Sequence, residues 1–396
     1  MRKMFDVTEI ARPNILNLEP YHCARDDFQE GILLDANENS YGPSFTGISA
    51  DEKALELNRY PDPHQTLLKQ RLCDFRNLEM DKTVFETNLK LTTANVCLTV
   101  GSDGGIDLVM RCFAKPGVEK ILICPPTYPM YCSCASLNDL DVVYEPLDKE
   151  TFQIYPERIL ADIKKDTSIR LVFVTSPGNP TAQMIRHELL WKLIHGVENM
   201  SWKGLIILDE AYIDFCLPGS SLATQVNEHK NLVVLQTFSK SFALAGIRLG
   251  TVYSSPEVSK LLNVPRDPYS QNKECCCTAL KATSQKVLNI MRLKCKKIGV
   301  QRSLMLEGFS HVKGIGKNVG GENANFLLMQ VLNKNGKPDS KLAYQIYWKM
   351  ATEKKIVVRF RGKDLNCEGC LRITIGTWEE NAALLVNIKK VLDDLE

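Results

Sequence analysis

Five short apolar runs constrain this chain more than any other feature; they lie at residues 96–100, 121–124, 171–174, 205–208 and 232–235. Several are apolar throughout instead of alternating, as in strands covered on both faces of a parallel sheet. Most are separated by stretches long enough for a crossover helix, such as 106–114 and 186–197. The pattern predicts an α/β fold, with a large, doubly wound, mainly parallel-sheet domain over residues 46–270. After that the rhythm changes. A helix is expected over 284–307, a strand over 326–331, a helix over 340–353, strands over 356–360 and 371–375, and an amphipathic helix over 379–395. That order describes a smaller α+β domain, residues 271–396. Residues 1–45 carry no sustained period and read as an arm joining the small domain. A chain of 396 residues suits two cores better than one.

Composition narrows the function classes. A formal net charge of +2 argues against nucleic acid or an acidic membrane surface as partner. The start, MRKMFDVTEIARP, has basic residues with no apolar run behind them, which makes a poor signal peptide. No stretch approaches the roughly 20 apolar residues of a membrane helix. A soluble cytoplasmic protein is expected, and its 14 cysteines then read as free thiols in a reducing compartment. Cys367 and Cys370 make one C-x-x-C without a second pair at zinc-site spacing, so no metal is expected.

In a doubly wound sheet, ligands bind beyond the carboxyl ends of the strands. Each apolar run is followed there by polar or Gly/Pro-rich residues: Gly101-Ser102-Asp103, Pro125-Pro126-Thr127-Tyr128, Thr175-Ser176-Pro177-Gly178-Asn179, Asp209-Glu210-Ala211-Tyr212, and Thr237-Phe238-Ser239-Lys240. Together they read as one site. Lys240 sits among hydroxyls directly behind a buried strand. An amine in such a pocket loses hydration, which disfavours its charged form and makes it a usable nucleophile. Arg248, the Thr237 and Ser239 hydroxyls and a helix N-terminus could grip a phosphate.

Asp209 ends a fully apolar run, and a carboxylate is costly to bury without a partner. Pyridoxal phosphate offers one, because its ring nitrogen must stay protonated for the ring to act as an electron sink. Tyr212 and Asn179 could donate to the cofactor's phenolic oxygen, and Tyr128 could stack on the ring. The Gly101–Gly105 stretch leads into a helix whose amides could cradle the phosphate. Its G-x-x-G-G spacing is not the dinucleotide fingerprint, and the next strand end carries no acid for a ribose, which argues against NAD.

The segments LDANENSYGP (34–43), LNRYPDP (57–63), TVGSDGGIDL (99–108), CPPTYPMY (124–131), SPGNPTA (176–182), LDEAYIDF (208–215), TFSKSFALAGIRLG (237–250) and GCLRITIGT (369–377) together resemble fold type I pyridoxal-phosphate enzymes. The resemblance is strongest to the histidinol-phosphate aminotransferase family. It implies that Lys240 carries the cofactor as a Schiff base and that Asp209 faces the pyridinium. Tyr212 and Asn179 would contact the phenolic oxygen, and Tyr128 would stack on the ring. Ser102, Asp103, Ser239 and Arg248 would surround the phosphate. Tyr60 would reach the cofactor phosphate of the neighbouring subunit in a homodimer. Arg372 and Arg359 would bind the anionic ends of the substrates, and Tyr21 and Asn37 would close the site from the arm. The implied reaction exchanges an amine between histidinol phosphate and 2-oxoglutarate, giving imidazole-acetol phosphate and glutamate. Two departures stand out. Ala182 replaces the family's usual glycine, which suggests a slightly different turn, and Gly104 replaces a commoner acidic residue.

Three other readings remain open at this level. A phosphothreonine decarboxylase of the same fold would release carbon dioxide. An aromatic or broad-range aminotransferase would take other amines. A catalytically silent partner protein would have kept the fold alone, against which the intact Lys240, Asp209, Tyr212 and Arg248 argue.

Overall fold

A computed structural model describes residues 5–19, 49–79 and 90–395. The five apolar runs are strands of one seven-stranded sheet: β1 (Val96–Val100), β2 (Lys120–Ile123), β4 (Ile169–Thr175), β5 (Leu205–Asp209) and β6 (Leu232–Thr237). Strands β3 (Asp141–Tyr144) and β7 (Leu249–Tyr253) complete it, in the order β1-β7-β6-β5-β4-β2-β3. Strands β2 to β6 run parallel, and β7 is antiparallel to both β6 and β1.

The absence of alternation in the apolar runs has the expected cause. Along β4, Leu171 and Phe173 enter one core with Ile121, Ile207 and Val233, while Val172 and Val174 enter another with Leu122, Ile206 and Val234. Strands β5 and β6 are buried from end to end. Each such Leu, Ile or Val contributes about 1.5–3 kcal/mol relative to exposure. Three helices position side chains at the two ends of this sheet. α1 (Gly101–Phe113) starts at the residue after β1, α2 (Met130–Leu137) lies between β2 and β3, and α3 (His187–Glu198) comes after β4. In α3, Leu190, Leu193, Ile194 and Val197 make the buried stripe that pins it to the sheet.

A second sheet holds β8 (Ile315–Asn318), β9 (Phe326–Val331), β10 (Arg359–Phe360) and β11 (Cys370–Thr374), all antiparallel, in the order β10-β11-β9-β8. Its core joins Leu327, Met329 and Ile373 to Phe309, Ile346 and Ile388 from the surrounding helices. The helix Trp378–Asp393 begins with a Thr377–Glu380 capping box, which satisfies two otherwise orphaned amides.

Two placements differ from the sequence reading. Residues 5–19 pack on the large sheet's core instead of joining the small one: Ile10, Ala11 and Ile15 are buried beside Val109 and Phe113. The Arg12 amide also donates to the Cys112 carbonyl at 3.0 Å. The helix Lys273–Ala282 buries Cys275, Cys276 and Ala279 in the same core as Leu68 and Leu72. The chain therefore changes core inside the helix Gln285–Ser310, later than residue 270. No described helix is long and apolar enough to cross a membrane.

Candidate active site

The carboxyl ends of β1, β2, β4, β5 and β6 converge on one cavity of about 430 Å³, closed on one side by arginines of the second sheet. Ser102, Asp103, Tyr128, Asn179, Asp209, Tyr212, Thr237, Ser239, Lys240, Arg248, Arg359 and Arg372 all line it. The rim inferred from the apolar runs is therefore one place in the fold.

Asp209, the last residue of β5, is 3% exposed. Its Oδ2 accepts from the Tyr131 hydroxyl at 2.7 Å and its Oδ1 from the Ala211 amide at 3.1 Å. Burial pushes its carboxyl pKa up, against the pull of the Tyr131 and Ala211 hydrogen bonds. A carboxylate held so deep calls for a cationic partner. Lys240 stands in the turn after β6, its ammonium 5.5 Å from the centre of the Tyr212 ring. Burial, and then the charge of Arg372, lower its pKa, so the free amine is favoured. Tyr212 is itself 7% exposed, and burial raises its phenol to about 12.

The opposite end of the cavity is a phosphate-sized cradle. The Thr237 hydroxyl donates to Ser239 Oγ at 3.0 Å, and Arg248 Nη1 donates to the same Ser239 oxygen at 3.3 Å. Arg248 Nη2 lies 3.5 Å from Asp103 Oδ2, and the Tyr128 hydroxyl donates to Asp103 Oδ1 at 3.1 Å. Gly101 has φ 67°, and a Cβ there would stand 2.5 Å from Arg248 Nη2. Glycine is thus what lets the guanidinium lie against the first turn of α1, whose amides point at any anion held there. A buried carboxylate, a deprotonation-prone lysine and an amide-and-arginine cradle fit pyridoxal phosphate at its ring nitrogen, its carbonyl and its phosphate.

Three arginines reach the site, two from the second sheet and one just past β10. Arg359 of β10 and Arg372 of β11 are direct cross-strand partners. Like charges set opposite one another destabilise a strand pair, so the arrangement is built for an anion. Arg372 Nη1 donates to Asn179 Oδ1 at 2.5 Å and lies over the Phe326 ring. Asn179 therefore has its oxygen engaged and its amide nitrogen left to donate elsewhere. Arg361, not singled out from the sequence, also lines the cavity. Its side chain is 11% exposed; among the described residues its one ion pair is a 3.4 Å contact to Asp364 and its buried Nε has no hydrogen-bond partner. Arg359 and Arg361 are two residues apart, which puts them on one face of an extended segment. That spacing is a readable signal.

Sequence reasoning also misses Tyr131 and Thr175. Tyr131 is fully buried, and its hydroxyl bridges Asp209 and Thr175 Oγ1, the latter at 2.8 Å. Tyr60 is absent from the cavity; it is half-exposed and stacks on Tyr269 with ring centres 4.6 Å apart. Tyr21 and Asn37 lie outside the described residues. Ala182 has φ 51°, a left-handed conformation that glycine takes freely. The turn thus takes a glycine-type conformation despite the alanine.

A lysine behind the parallel sheet, an aspartate at the next strand end and a cradled anion site define an aminotransferase of the pyridoxal-phosphate class. A family model described as aminotransferase class I and II matches residues 29–388. A histidinol-phosphate aminotransferase from Candida maltosa is 52% identical over 99% of this chain and all of its own length. One from Schizosaccharomyces pombe is 46% identical over 99% of both chains. The chain belongs to the histidinol-phosphate aminotransferase family. Among solved structures, a Sinorhizobium meliloti histidinol-phosphate aminotransferase in complex with pyridoxal 5'-phosphate shares the fold. It superposes with a TM-score of 0.73 at 20% identity, covering 91% of this chain and 90% of that one.

Proposed function

We propose that this protein transfers an amine from L-histidinol phosphate to 2-oxoglutarate, giving imidazole-acetol phosphate and L-glutamate, a step of histidine biosynthesis. The observation that carries the reading is the meeting of Lys240 and Asp209 with Arg359, Arg361 and Arg372 in one cavity. Both amine carriers end in an anion, and fixed guanidinium groups serve both. Specificity constants across a panel of amines test it. Histidinol phosphate should exceed histidinol, phosphothreonine and phenylalanine; a preference for any of these would favour another member of the fold.

Bound pyridoxal phosphate supplies the electron sink that stabilises charge on the substrate carbon bearing the nitrogen. Everything else is asked of the chain. Asp209 holds the ring nitrogen protonated, and Tyr131 and the Ala211 amide orient its carboxylate. Tyr212 and the Asn179 amide would donate to the phenolic oxygen, and Tyr128 would cover the ring face. Ser102, Asp103, Thr237, Ser239 and Arg248 shape the phosphate cradle. Lys240 would hold the cofactor and, as a free amine, would move a proton on and off the substrate carbon as general base and acid. Burial and the charge of Arg372, which lower its pKa, favour the free amine that this work needs.

Arg372 takes the carboxylate of glutamate. Arg359 takes the phosphate of histidinol phosphate, with Arg361 beside it. Tyr21 and Asn37 close the site, and Tyr60 serves the cofactor of the other subunit in a two-fold homodimer. The cofactor domain spans 46–270 in this reading, although the helix Lys273–Ala282 extends its core beyond that boundary. A reducing, cytoplasmic setting agrees with described cysteines that are all free thiols, most of them buried.

A further inference from the structure

We propose that His195, Glu198 and His229 form a binding site for one divalent transition-metal ion, on the rim of the large sheet opposite Lys240. The placement rests on topology. The parallel strands carry the catalytic groups at their carboxyl ends. Helix α3 runs back across the sheet, so its last turn, with His195 and Glu198, lies at the amino ends. His229 stands just before β6, at that same rim.

One ligand atom from each of the three side chains lies within 4.8 Å of the others. His229 Nδ1 and Glu198 Oε1 are already 2.6 Å apart. A hydrogen-bonded His–Glu pair would explain that contact alone, but it does not call for a second imidazole. Trp191, one turn before His195 on α3, stacks on the His195 ring with centres 6.0 Å apart at 18°, and lies 5.4 Å from the His229 ring. The two imidazoles are themselves 5.4 Å apart. The indole thus lies against both imidazoles.

Two imidazoles and one carboxylate make a facial set of borderline donors. They suit Zn²⁺, Ni²⁺, Co²⁺ or Cu²⁺ over Mg²⁺ and Ca²⁺, which prefer all-oxygen ligands. Metal–nitrogen bonds of about 2.0–2.1 Å require donors closer together than the present span. His195 is exposed and closes that gap by side-chain rotation, while the buried His229 stays put. Glu198 also lines a surface cavity of about 440 Å³, which gives the ion and its remaining water ligands access. Binding would tie the end of α3 to the start of β6 and stabilise the folded state by mass action.

Nickel tests the site, because a paramagnetic ion against Trp191 quenches its emission. Titrating the holoenzyme with NiCl₂ should give a saturable quench, reversed by chelator, with one ion per chain by equilibrium dialysis. Removing a direct ligand should weaken binding by at least about the 10–100-fold known for mutations of residues that merely orient ligands. His195→Ala, at an exposed position, and Glu198→Gln should both do so, with transaminase turnover unchanged. Trp191→Phe should keep the dialysis stoichiometry and lose the saturable quench. A titration with no saturable phase, or equal affinity in His195→Ala and wild type, overturns the proposal.

Discussion

The Tyr131 hydroxyl donates a 2.7 Å hydrogen bond to Asp209 although the two residues are far apart in sequence, one on α2 and one at the end of β5. Asp209 is therefore oriented from its flank and not only by its own turn. Asp209→Asn should retain some cofactor and lose roughly 10²–10³-fold in turnover, the range for removing one preorganised electrostatic contact. Tyr131→Phe should cost about 1–3 kcal/mol, because a buried carboxylate loses a donor. Absorbance of the bound cofactor, read beside turnover, checks both. Near-normal turnover in Asp209→Asn would remove its assigned role.

Lys240 should be the residue that borohydride reduction links to the cofactor, and Lys240→Ala should abolish the linkage. A labelled peptide containing another lysine would contradict the assignment. The same lysine sets a pH dependence in the apoprotein. Its folded pKa is depressed below 10.5, so the unfolded chain binds the extra proton first as pH falls. Stability from this group is thus full above pH 10.5 and declines as pH drops towards the folded pKa. Apo Lys240→Met should accordingly gain stability over wild type at neutral pH, and that gain should vanish above pH 10.5 in denaturant titrations.

The three arginines should divide the two half-reactions. Arg372→Ala should cost about 2–5 kcal/mol in the glutamate half-reaction, the scale of a lost charge-assisted pair, and less with histidinol phosphate. Arg359→Ala should do the reverse. Arg361→Gln should raise KM for histidinol phosphate while leaving histidinol, which lacks the phosphate, unaffected. Single-turnover kinetics at full cofactor occupancy separate these effects. Equal damage to both half-reactions by all three would show that no such division exists.

Tyr60 should act across subunits. Tyr60→Phe and Lys240→Ala homodimers, each impaired, should regain activity when unfolded and refolded together. The mixed dimer then has one site with an intact Lys240 and the partner's intact Tyr60. Absence of any gain, with mixed dimers demonstrated by mass spectrometry, would place Tyr60 outside the partner's site.

Much of this is legible because strand burial writes itself as unbroken apolar runs. Residues 205–208 and 232–235 match β5 and β6 closely, and the residues just after each run land in the cavity. β7 escapes because Gly250 and Thr251 dilute its apolar run, and β3 because Asp141 and Tyr144 are exposed at the sheet edge. The reach of Tyr131 to Asp209 leaves no local trace, since it depends on how α2 sits across the strand ends. Arg361 is readable from its two-residue spacing to Arg359, but only the fold shows a buried guanidinium with one long ion pair among the described residues. The N-terminal contacts of Ile10 and Ile15 follow no period and leave nothing to infer them from.

The most direct measurement tracks nitrogen. Holoenzyme given histidinol phosphate labelled with ¹⁵N at the amine, but no keto acid, should release one equivalent of imidazole-acetol phosphate per site and stop. After unreacted histidinol phosphate is removed, adding 2-oxoglutarate should then yield one equivalent of ¹⁵N-glutamate per site. Continuous turnover without the keto acid, or glutamate lacking the label, would contradict the account.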